Sequence, residues 1–380
     1  MIWRICGSST DYFVPSSSQA NDSQVLVPSG VEIVCSDDAL LSLLAPKESP
    51  VCAIDTEADS LHRYRESLCL VQFAEAERKV LIDPLAIKNL SPLGDYLEAA
   101  TVWMHGADYD MTMLKREFGK LPAEVFDTQI GARLLGERRF GLGDLVSRYF
   151  DVQLSKSSQK ADWGRRPLTP KMIEYAINDV AYLLEMGEMI VRELAGKGRH
   201  DWFIESCVAA RQKVLDRDDS REDGWRIQGS GKLDRQGLSY LRGLWEWRNG
   251  EAEAWDRPSF MVATNRDLIE WSTQLAAGGT VRLPKHFRTE RQKRFRAVVE
   301  QLSTLPEADW PNRPSVKRRK RDRSFDKRLD ELLKIRDRTA AELDIESSLI
   351  APRAVLESIA EGQTAPRELL LDWQLTCLGL

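Results

Sequence analysis

Two acidic residues at the end of a short apolar segment are the first residues in this chain that could do chemistry. The segment 51–57, Val-Cys-Ala-Ile-Asp-Thr-Glu, follows Pro50 and predicts a short buried strand. Side chains alternate between the faces of a strand, so Asp55 and Glu57 point to the same side. Like charges repel, and a pair of oxygen ligands suits a hard cation such as Mg²⁺ or Mn²⁺. With 59 acids in 380 residues, about nine acid-x-acid pairs arise by chance, so this pair needs further support.

Further acids occur where a fold could bring them to this pair. Asp110 lies at the start of a predicted helix that directly follows a predicted strand at 101–105. An acid at a helix start is also favoured simply by the helix macrodipole. On a later helix, Tyr175 and Asp179 are four residues apart and therefore lie on one helix face. About one Tyr–acid pair at this spacing is expected by chance, so its meaning depends on the other acids.

The segments that carry these residues predict an α/β fold. Strands are predicted at 51–57, 69–75, 79–83, 101–105 and 125–128, and helices at 91–99, 107–118, 128–135 and 141–150. Residues 151–166 predict a polar loop, after which Thr169 and Pro170 begin one long helix to about Ala195. This order predicts a mixed sheet with helices on both sides, in which catalytic residues lie at strand ends and helix starts.

Composition narrows the class of protein. A length of 380 residues predicts two or three domains, and 42% hydrophobic with 30% charged residues is typical of a globular protein. Six scattered cysteines without a Cys-x-x-Cys pair, and no apolar run of about 18 residues, predict a cytoplasmic protein without a membrane span. The net charge of -5 does not indicate a nucleic-acid binder, but residues 285–320 are strongly basic. This basic segment is either a phosphate-binding region or a solvated linker.

The order of the motifs resembles the DEDD-type 3′-5′ exonucleases with a tyrosine in the third motif, and within them the ribonuclease D family. Residues 161–169, Ala-Asp-Trp-Gly-Arg-Arg-Pro-Leu-Thr, and 175–184, Tyr-Ala-Ile-Asn-Asp-Val-Ala-Tyr-Leu-Leu, are similar to that third motif almost residue for residue. In the family's second motif an acid follows the histidine by five positions, which after His105 selects Asp110 rather than Asp108. The segment 127–129, Asp-Thr-Gln, also resembles the family.

The resemblance continues into the second half of the chain. Residues 233–248 and 258–268 resemble an HRDC domain, a small helical module, and a weaker copy follows near the C-terminus. The resemblance implies an RNase H-like α/β exonuclease domain followed by small all-α domains. The expected segments are a loosely structured N-terminus at 1–30, an exonuclease domain at 31–215, a linker at 216–231, an HRDC-like domain at 232–308, a basic linker at 309–324 and a partial second HRDC-like domain at 325–380.

The resemblance also implies a mechanism and a substrate. Asp55, Glu57, Asp110 and Asp179 would hold two divalent ions, Mg²⁺ or Mn²⁺, and Tyr175 would orient the attacking water. The implied substrate is the 3′ end of RNA, most consistently precursor tRNA, and the protein is expected to act as a monomer. Expected substrate contacts or supporting residues are Gln72, His105, Asp127, Lys160, Trp163 and Arg166. In the helical modules, backbone contacts are expected from Arg242, Arg248, Lys285, Arg288 and residues 317–321.

Two alternatives remain open at the level of sequence. The same four acids serve a 3′-5′ DNA exonuclease equally well, because nothing in the motifs reads the ribose 2′-hydroxyl. A catalytically silent nucleic-acid-binding protein would use the sheet only as a scaffold, although such a protein has no need for mutually repelling carboxylates. A helicase is disfavoured because the chain has no Gly-x-x-x-x-Gly-Lys-Ser/Thr phosphate-binding loop.

Overall fold

The computed structural model describes residues 31–76, 78–217, 223–313, 323–362 and 364–380. The predicted loose N-terminus at 1–30 and most of the predicted basic linker lie outside the described residues. The described residues form two compact units: residues 31–58, 68–217 and 323–380 make up the first, and residues 59–67 and 223–313 the second. Among these residues, no helix is both long enough and apolar enough to cross a membrane.

The first unit is built on a sheet that has six strands in the described residues. The strands are β1 Glu32–Val34, β2 Val51–Ala58, β3 Leu68–Glu75, β4 Arg78–Ile82, β5 Thr101–Met104 and β6 Glu124–Asp127. Their order across the sheet is β1-β4-β3-β2-β5-β6, with β2 antiparallel to β3 and parallel to β5. Both faces of the first half of β2 are covered, since Cys52, Ala53 and Ile54 are fully buried. The predicted mixed sheet is confirmed.

Helices cover both faces of this sheet. They are α1 Asp37–Leu43, α2 Ser91–Glu98, α3 Asp108–Phe118, α4 Thr128–Leu135, α5 Leu142–Phe150, α6 Pro170–Val180, α7 Leu183–Gly196 and α8 His200–Leu215. Because side chains alternate along β2, Ile54 joins the core formed with α1, α2 and α3, whereas Ala53 joins the core formed with α4, α7 and α8. The sheet is therefore buried on both sides and exposes functional groups only at its strand ends.

The long helix predicted from Thr169 to Ala195 is two helices, so that prediction is wrong. α6 ends at Val180 and α7 begins at Leu183. The two helices serve different cores: α6 packs on β3 and β4, whereas α7 packs on β5. α7 comes so close to β5 that a Cβ atom on Gly187 would lie 2.6 Å from the ring of Trp103. A straight helix could not satisfy both contacts, and the chain turns between them.

The C-terminal helices belong to the first unit. They are α13 Arg323–Leu343, α14 Ser347–Ile350, α15 Arg353–Glu361 and α16 Asp372–Leu378, numbered after the four helices of the second unit. They share one hydrophobic core with α4, α7 and α8. At this contact the rings of Trp202 and Trp373 stack with centroids 4.9 Å apart, and the Glu205 carboxylate accepts a hydrogen bond from the backbone N–H of Asp372.

The second unit is helical. Its helices are α9 Arg235–Trp255, α10 Ser259–Val262, α11 Asn265–Ala276 and α12 Thr289–Ser303. The core is aromatic: Trp247 contacts Trp271, Phe287 and Phe295 with ring centroids 5.1 to 6.4 Å apart. The predicted all-helical character of this region is confirmed, while the exact domain limits stay predictions. Residues 59–67, which connect β2 to β3, also belong to this unit, where Arg65 pairs with Glu253 at 2.8 Å.

Candidate active site

The central strand β2 presents the first two carboxylates of the site. Asp55 and Glu57 are two residues apart on β2, and both are partly exposed while the residues before them are buried. β2 pairs with β5 only from Val51 to Ala53, so its second half extends beyond the neighbouring parallel strand. The strand end that carries the acids is therefore accessible from the side that β5 leaves open.

The helix that follows β5 places Asp110 in this gap. Asp110 lies in the first turn of α3 and is buried. Its Oδ1 accepts hydrogen bonds from the backbone N–H of Thr56 at 3.0 Å and from the Thr56 hydroxyl at 2.5 Å. Thr56 is the residue between Asp55 and Glu57, so Asp110 is fixed directly to the strand segment that carries the other two acids.

Helix α6 contributes the remaining acid and the tyrosine. The side chain of Thr169 caps the helix by accepting from Met172 N, and Pro170 occupies its first position. Tyr175 and Asp179 lie one turn apart, and the tyrosine hydroxyl donates to the Asp179 carboxylate. One carboxylate oxygen each from Asp55, Glu57 and Asp179 all lie within 4.8 Å of one another. Asp110 is outside this trio, and its Oδ1 is bound by Thr56.

Burial raises the pKa of every acid in the cluster, and repulsion from other acids of the cluster adds to the rise at Asp55, Glu57 and Asp179. Burial, followed by the charges of Asp110, Asp179 and Glu57, holds the pKa of Asp55 well above its usual range. Burial, followed by the charges of Asp179 and Asp110, raises the pKa of Glu57 to about 9. Such a cluster accommodates several negative charges only beside a cation.

Hydrogen bonds oppose this rise at the other two acids. Burial raises the pKa of Asp179 to about 7, against the hydrogen bond from Tyr175. Burial also raises the pKa of Asp110 to about 6, against the hydrogen bonds from Thr56. The donor set consists of carboxylate oxygens alone, which is the set that hard divalent cations prefer. The residues present therefore fit a divalent metal centre.

Three predicted substrate contacts, Gln72, His105 and Asp127, lie beside the acids in supporting positions. Gln72 is opposite Asp55 in the sheet, is fully buried and donates from Nε2 to Asp55 Oδ2 at 3.2 Å. A fully buried amide cannot touch a substrate, so the prediction of a direct contact for Gln72 is corrected to a role in holding Asp55. His105 is only partly buried and bonds through Nδ1 to Thr128 Oγ1 at 2.9 Å. Its substrate contact stays a prediction.

Asp127 is a structural acid. Its carboxylate accepts three backbone N–H bonds of 2.8 to 2.9 Å, from Gly106, Ala107 and Gln129. It thereby caps α4 and joins the start of α4 to the turn between β5 and α3. The prediction of a substrate contact for Asp127 is corrected, because the side chain is buried and both oxygens are engaged.

The loop before α6 carries three of the residues that were expected to contact the substrate, Lys160, Trp163 and Arg166. Trp163 is only 1% exposed and lies in the core between α6 and strands β3 and β4, so it cannot stack on a base. Arg166 binds Asp83, a buried acid that follows β4, and is not available to a phosphate. Both predictions are therefore corrected. Lys160 is exposed, and its substrate contact stays a prediction.

The basic residues that were expected to contact RNA in the helical region also include both buried and exposed side chains. Arg248 is buried and donates to Asn265 Oδ1 at 2.8 Å, so its expected contact with RNA is corrected. Lys285 and Arg288 are exposed, and Arg242 lies 3.9 Å from Glu246. Residues 317–321 lie outside the described residues.

Sequence reasoning missed Thr56 and Asp83. Thr56 stands between the two acids of β2, and its position alone did not reveal that it holds Asp110. Asp83 directly follows an apolar strand, which is a weak signal for a functional acid. Its partner Arg166 is 83 residues away, and no local pattern connects the two.

A mixed sheet with a carboxylate cluster at the end of its central strand, completed by a Tyr-x-x-x-Asp helix, defines a metal-dependent exonuclease. Residues 31–195 match the 3′-5′ exonuclease family model. The chain is 33% identical over 294 residues to ribonuclease D of Escherichia coli, an alignment covering 74% of this chain and 77% of that relative. It is 30% identical over 351 residues to ribonuclease D of Sphingobium indicum, covering 87% of this chain and 88% of that relative.

The crystal structure of Escherichia coli RNase D is also similar, with a TM-score of 0.71 and 26% identity over 92% of this chain and 98% of that one. This chain belongs to the ribonuclease D family. It is a metal-dependent 3′-5′ exoribonuclease, as the resemblance to the ribonuclease D family implied.

Proposed function

We propose that this enzyme removes nucleoside 5′-monophosphates one at a time from the 3′ ends of structured RNA, and that precursor tRNA is its principal substrate. The observation that carries the proposal is the cluster of Asp55, Glu57 and Asp179 beside Asp110 in a chain of the ribonuclease D family. The similar Escherichia coli enzyme is described as an exoribonuclease involved in structured RNA processing, which supports a structured substrate here.

We infer that the cluster takes two divalent ions, Mg²⁺ or Mn²⁺. Asp55, Glu57 and Asp179 supply closely spaced oxygens, and Asp110 has a second carboxylate oxygen besides the one bound by Thr56. When bound, such ions lower the pKa of a water molecule and neutralise charge on the leaving 3′-oxygen. Thr56 and Gln72 hold two of the acids in place, so that the ligand set is ordered before a cation arrives.

The other side chains of the site act on the substrate and on the attacking water. In this proposal the hydroxyl of Tyr175, which lies one turn from Asp179, orients the attacking water. Glu57 accepts a hydrogen bond from the terminal ribose hydroxyl. His105 and Lys160 contact the substrate strand. These roles agree with the exposure of the four side chains, all of which reach solvent.

The helical regions complete the proposal. The second unit is an HRDC-like domain whose exposed Lys285 and Arg288 bind the RNA backbone, and the C-terminal helices are a partial second copy. An RNA substrate is consistent with a cytoplasmic enzyme, and a complete acid set within one chain is consistent with a monomer.

The proposal is tested by following RNA that is labelled at its 5′ end. Single-stranded RNA, matched DNA and a precursor tRNA with a 3′ trailer are incubated with Mg²⁺, with Mn²⁺ and with a chelator. The parent protein is compared with Asp55→Asn and with Asp108→Asn. Asp108 is the matched control, because it lies two residues before Asp110 on α3 but is largely exposed and pairs with Arg217 at 2.6 Å.

Stepwise shortening of both RNAs with metal, lost in Asp55→Asn and kept in Asp108→Asn, is the expected result. Faster degradation of DNA would reject the RNA assignment in favour of a DNA exonuclease. Degradation of the single-stranded RNA without removal of the trailer would reject precursor tRNA as the substrate and leave the exoribonuclease assignment in place. Binding of RNA without release of mononucleotides under either metal would reject the catalytic assignment.

A further inference from the structure

A buried ion pair ties the loop before α6 to the edge of the sheet. Asp83 follows β4 and is 1% exposed, and Arg166 lies in the loop that leads into α6. The Arg166 Nε and Nη2 donate to the two carboxylate oxygens of Asp83 at 2.6 and 2.7 Å. This is the two-point geometry that a guanidinium makes with a carboxylate, and it fixes orientation as well as distance.

The remaining N–H groups of the Arg166 guanidinium donate hydrogen bonds to backbone carbonyls. Nη2 also donates to the carbonyl oxygen of Cys69 at 2.7 Å, and Nη1 donates to the carbonyls of Trp163 and Arg165 at 2.8 Å each. A guanidinium has five N–H donors, and these bonds together with the two to Asp83 use all five. Arg166 thus binds three parts of the first unit at once: strand β3, the end of β4 and its own loop.

These three parts meet at the catalytic cluster. Cys69 lies on β3, whose next residues pair with Glu57 and Asp55 of β2. The loop continues directly into α6, which carries Tyr175 and Asp179. Within the same core, Trp163 contacts the Tyr175 ring, with centroids 6.0 Å apart. The Arg166 bonds and this ring contact together hold α6 against the strands.

Contacts that hold α6 against the strands are needed because the acids on α6 and β2 repel one another. Asp179 approaches Asp55 and Glu57 to within 4.8 Å, and carboxylates in the ionised form that binds a cation repel one another at this distance. Without a cation, α6 stays next to β2 only if other contacts keep it there. We infer that Arg166, through its bonds to Asp83 and to the three carbonyls, is a positioning residue that holds α6 at the distance from β2 that metal binding requires. The inference rests on the metal-dependent function but not on the choice of RNA substrate.

Three variants of the full chain test this role. Arg166→Met removes all five bonds while keeping much of the aliphatic volume. Arg166→Lys keeps a positive charge beside Asp83 but offers three donors instead of a planar set of five. Arg291→Met in the second unit is the matched control, because Arg291 also binds a buried acid, Glu251, at 3.0 Å. It removes an arginine from a buried acid in a unit that carries none of the four acids, and Arg294 still binds Glu251 there.

Hydrogen exchange of residues 161–180 is measured first, in metal-free protein. The parent and Arg291→Met are expected to protect this segment equally, whereas Arg166→Met exchanges it at least tenfold faster and Arg166→Lys lies between. Mn²⁺ binding measured by calorimetry is expected to weaken about 10- to 100-fold in Arg166→Met, as when a group that orients metal ligands is lost. On a single-stranded RNA, kcat is expected to fall at saturating Mn²⁺ while KM stays within about twofold, since substrate contacts are untouched.

Two results would overturn the inference. One is a folded Arg166→Lys with the exchange rates, Mn²⁺ affinity and kcat of the parent, because charge neutralisation of Asp83 would then suffice. The other is an equal loss of Mn²⁺ affinity in Arg291→Met, which would make the effect one of general stability. If Arg166→Met does not fold, Arg166→Lys still decides, since its charge compensates Asp83. A parent that binds no Mn²⁺ rejects the metal-dependent function, while the exchange rates still decide whether Arg166 holds α6.

Discussion

At the scale of single residues, Tyr175 and Asp179 show how one hydrogen bond shapes the site. Burial raises the pKa of Asp179 to about 7, and the hydroxyl of Tyr175 opposes that rise by donating to the carboxylate. The same hydroxyl is half-buried and has its own pKa raised by burial and by the nearby acids, so it remains protonated. The tyrosine therefore stays un-ionised at neutral pH: its single O–H donates to Asp179, and its oxygen remains able to accept a hydrogen bond from the attacking water.

Replacing Tyr175 by Phe is expected to lower kcat by about 100-fold, the lower end of the range for loss of one positioned group that assists proton transfer. The ring keeps its contact with Trp163, so the melting temperature should change by less than about 2 °C. Asp179 loses its donor, so its pKa rises and the activity profile shifts to higher pH. Steady-state kinetics from pH 6 to 9 measure the fall in kcat and the shift of the activity profile, and a thermal melt measures the melting temperature. An unchanged kcat would show that the hydroxyl has no part in the reaction.

The raised pKa values also predict how stability depends on pH. A carboxyl group with a higher pKa in the folded protein than in the unfolded chain binds its proton more tightly when folded. Its stabilising contribution is complete below about pH 4 and is lost as the pH rises through the folded values of about 6, 7 and 9. Metal-free protein should therefore lose up to about 1.4 kcal/mol of stability per pH unit for each group that titrates.

Thermal melts between pH 6 and 9 measure this loss, with and without Mn²⁺. The Mn²⁺-induced rise in melting temperature should grow with pH, because the ligands must lose their protons to bind a cation. Glu57→Gln should reduce the slope of the metal-free curve between pH 7 and 9, since the pKa of Glu57 is raised to about 9. A curve with the same slope in Glu57→Gln and in the parent would contradict the assignment of this group.

At the scale of elements, the part of the site that supplies Asp110 is built where β5 and β6 end and helices α3 and α4 begin. Asp127 joins these two junctions through three backbone hydrogen bonds, and Thr128 bonds to His105 beside it. Helix α3, which carries Asp110, therefore starts from a turn that is fixed by the neighbouring strand. Asp127 acts on the reaction only through this geometry.

Asp127→Ala is expected to destabilise the protein by about 2 kcal/mol, because it removes a helix cap and leaves buried N–H groups unpaired. Activity should fall with no change in preference among RNA substrates, as expected of a structural acid. Chemical denaturation and competition between two RNAs measure the two effects. Asp234→Ala, which removes the cap of α9 by losing the bond to Gly237 N, is the control that should lose stability and keep activity. A changed substrate preference in Asp127→Ala would restore the predicted RNA contact.

At the scale of the whole molecule, the C-terminal helices are part of the core of the catalytic unit. Arg199 of α8 donates to the carbonyl of Leu134 and to that of Leu343 in α13, at 2.6 Å each. Trp373 stacks on Trp202 and donates to Ser206 Oγ at 3.2 Å. The helices in residues 323–362 and 364–380 thus supply one wall of the core beneath α4, α7 and α8.

Trp373→Ala is expected to destabilise the first unit by about 3 to 5 kcal/mol, the usual cost of removing a buried tryptophan. Trp255, at 47% exposed in the second unit, is the control, and Trp255→Ala should cost about 1 kcal/mol or less. Calorimetric melts of the full chain report both changes. Equal small losses in the two variants would mean that the C-terminal helices contribute little to the stability of the catalytic unit.

The sequence by itself determined the parts of this protein that depend on local periodicity. A period of two puts Asp55 and Glu57 on one side of β2, and a spacing of four puts Tyr175 and Asp179 on one face of α6. Caps and apolar runs predicted most strands and helices within a few residues. Likeness of the third motif to the ribonuclease D family then supplied the chemistry, which no single pattern in the chain contains.

Only the tertiary structure decided which polar and aromatic side chains reach the substrate. Trp163 and Arg166 have the residue types of an RNA-binding loop, and Asp127 follows a strand near the acids, yet each of the three is engaged by partners inside the fold. The break between α6 and α7 is also a result of tertiary packing, since the two helices pack into different hydrophobic cores. Burial and pairing depend on residues far away in sequence, as with Asp83 and Arg166, and such partners leave no local pattern to read.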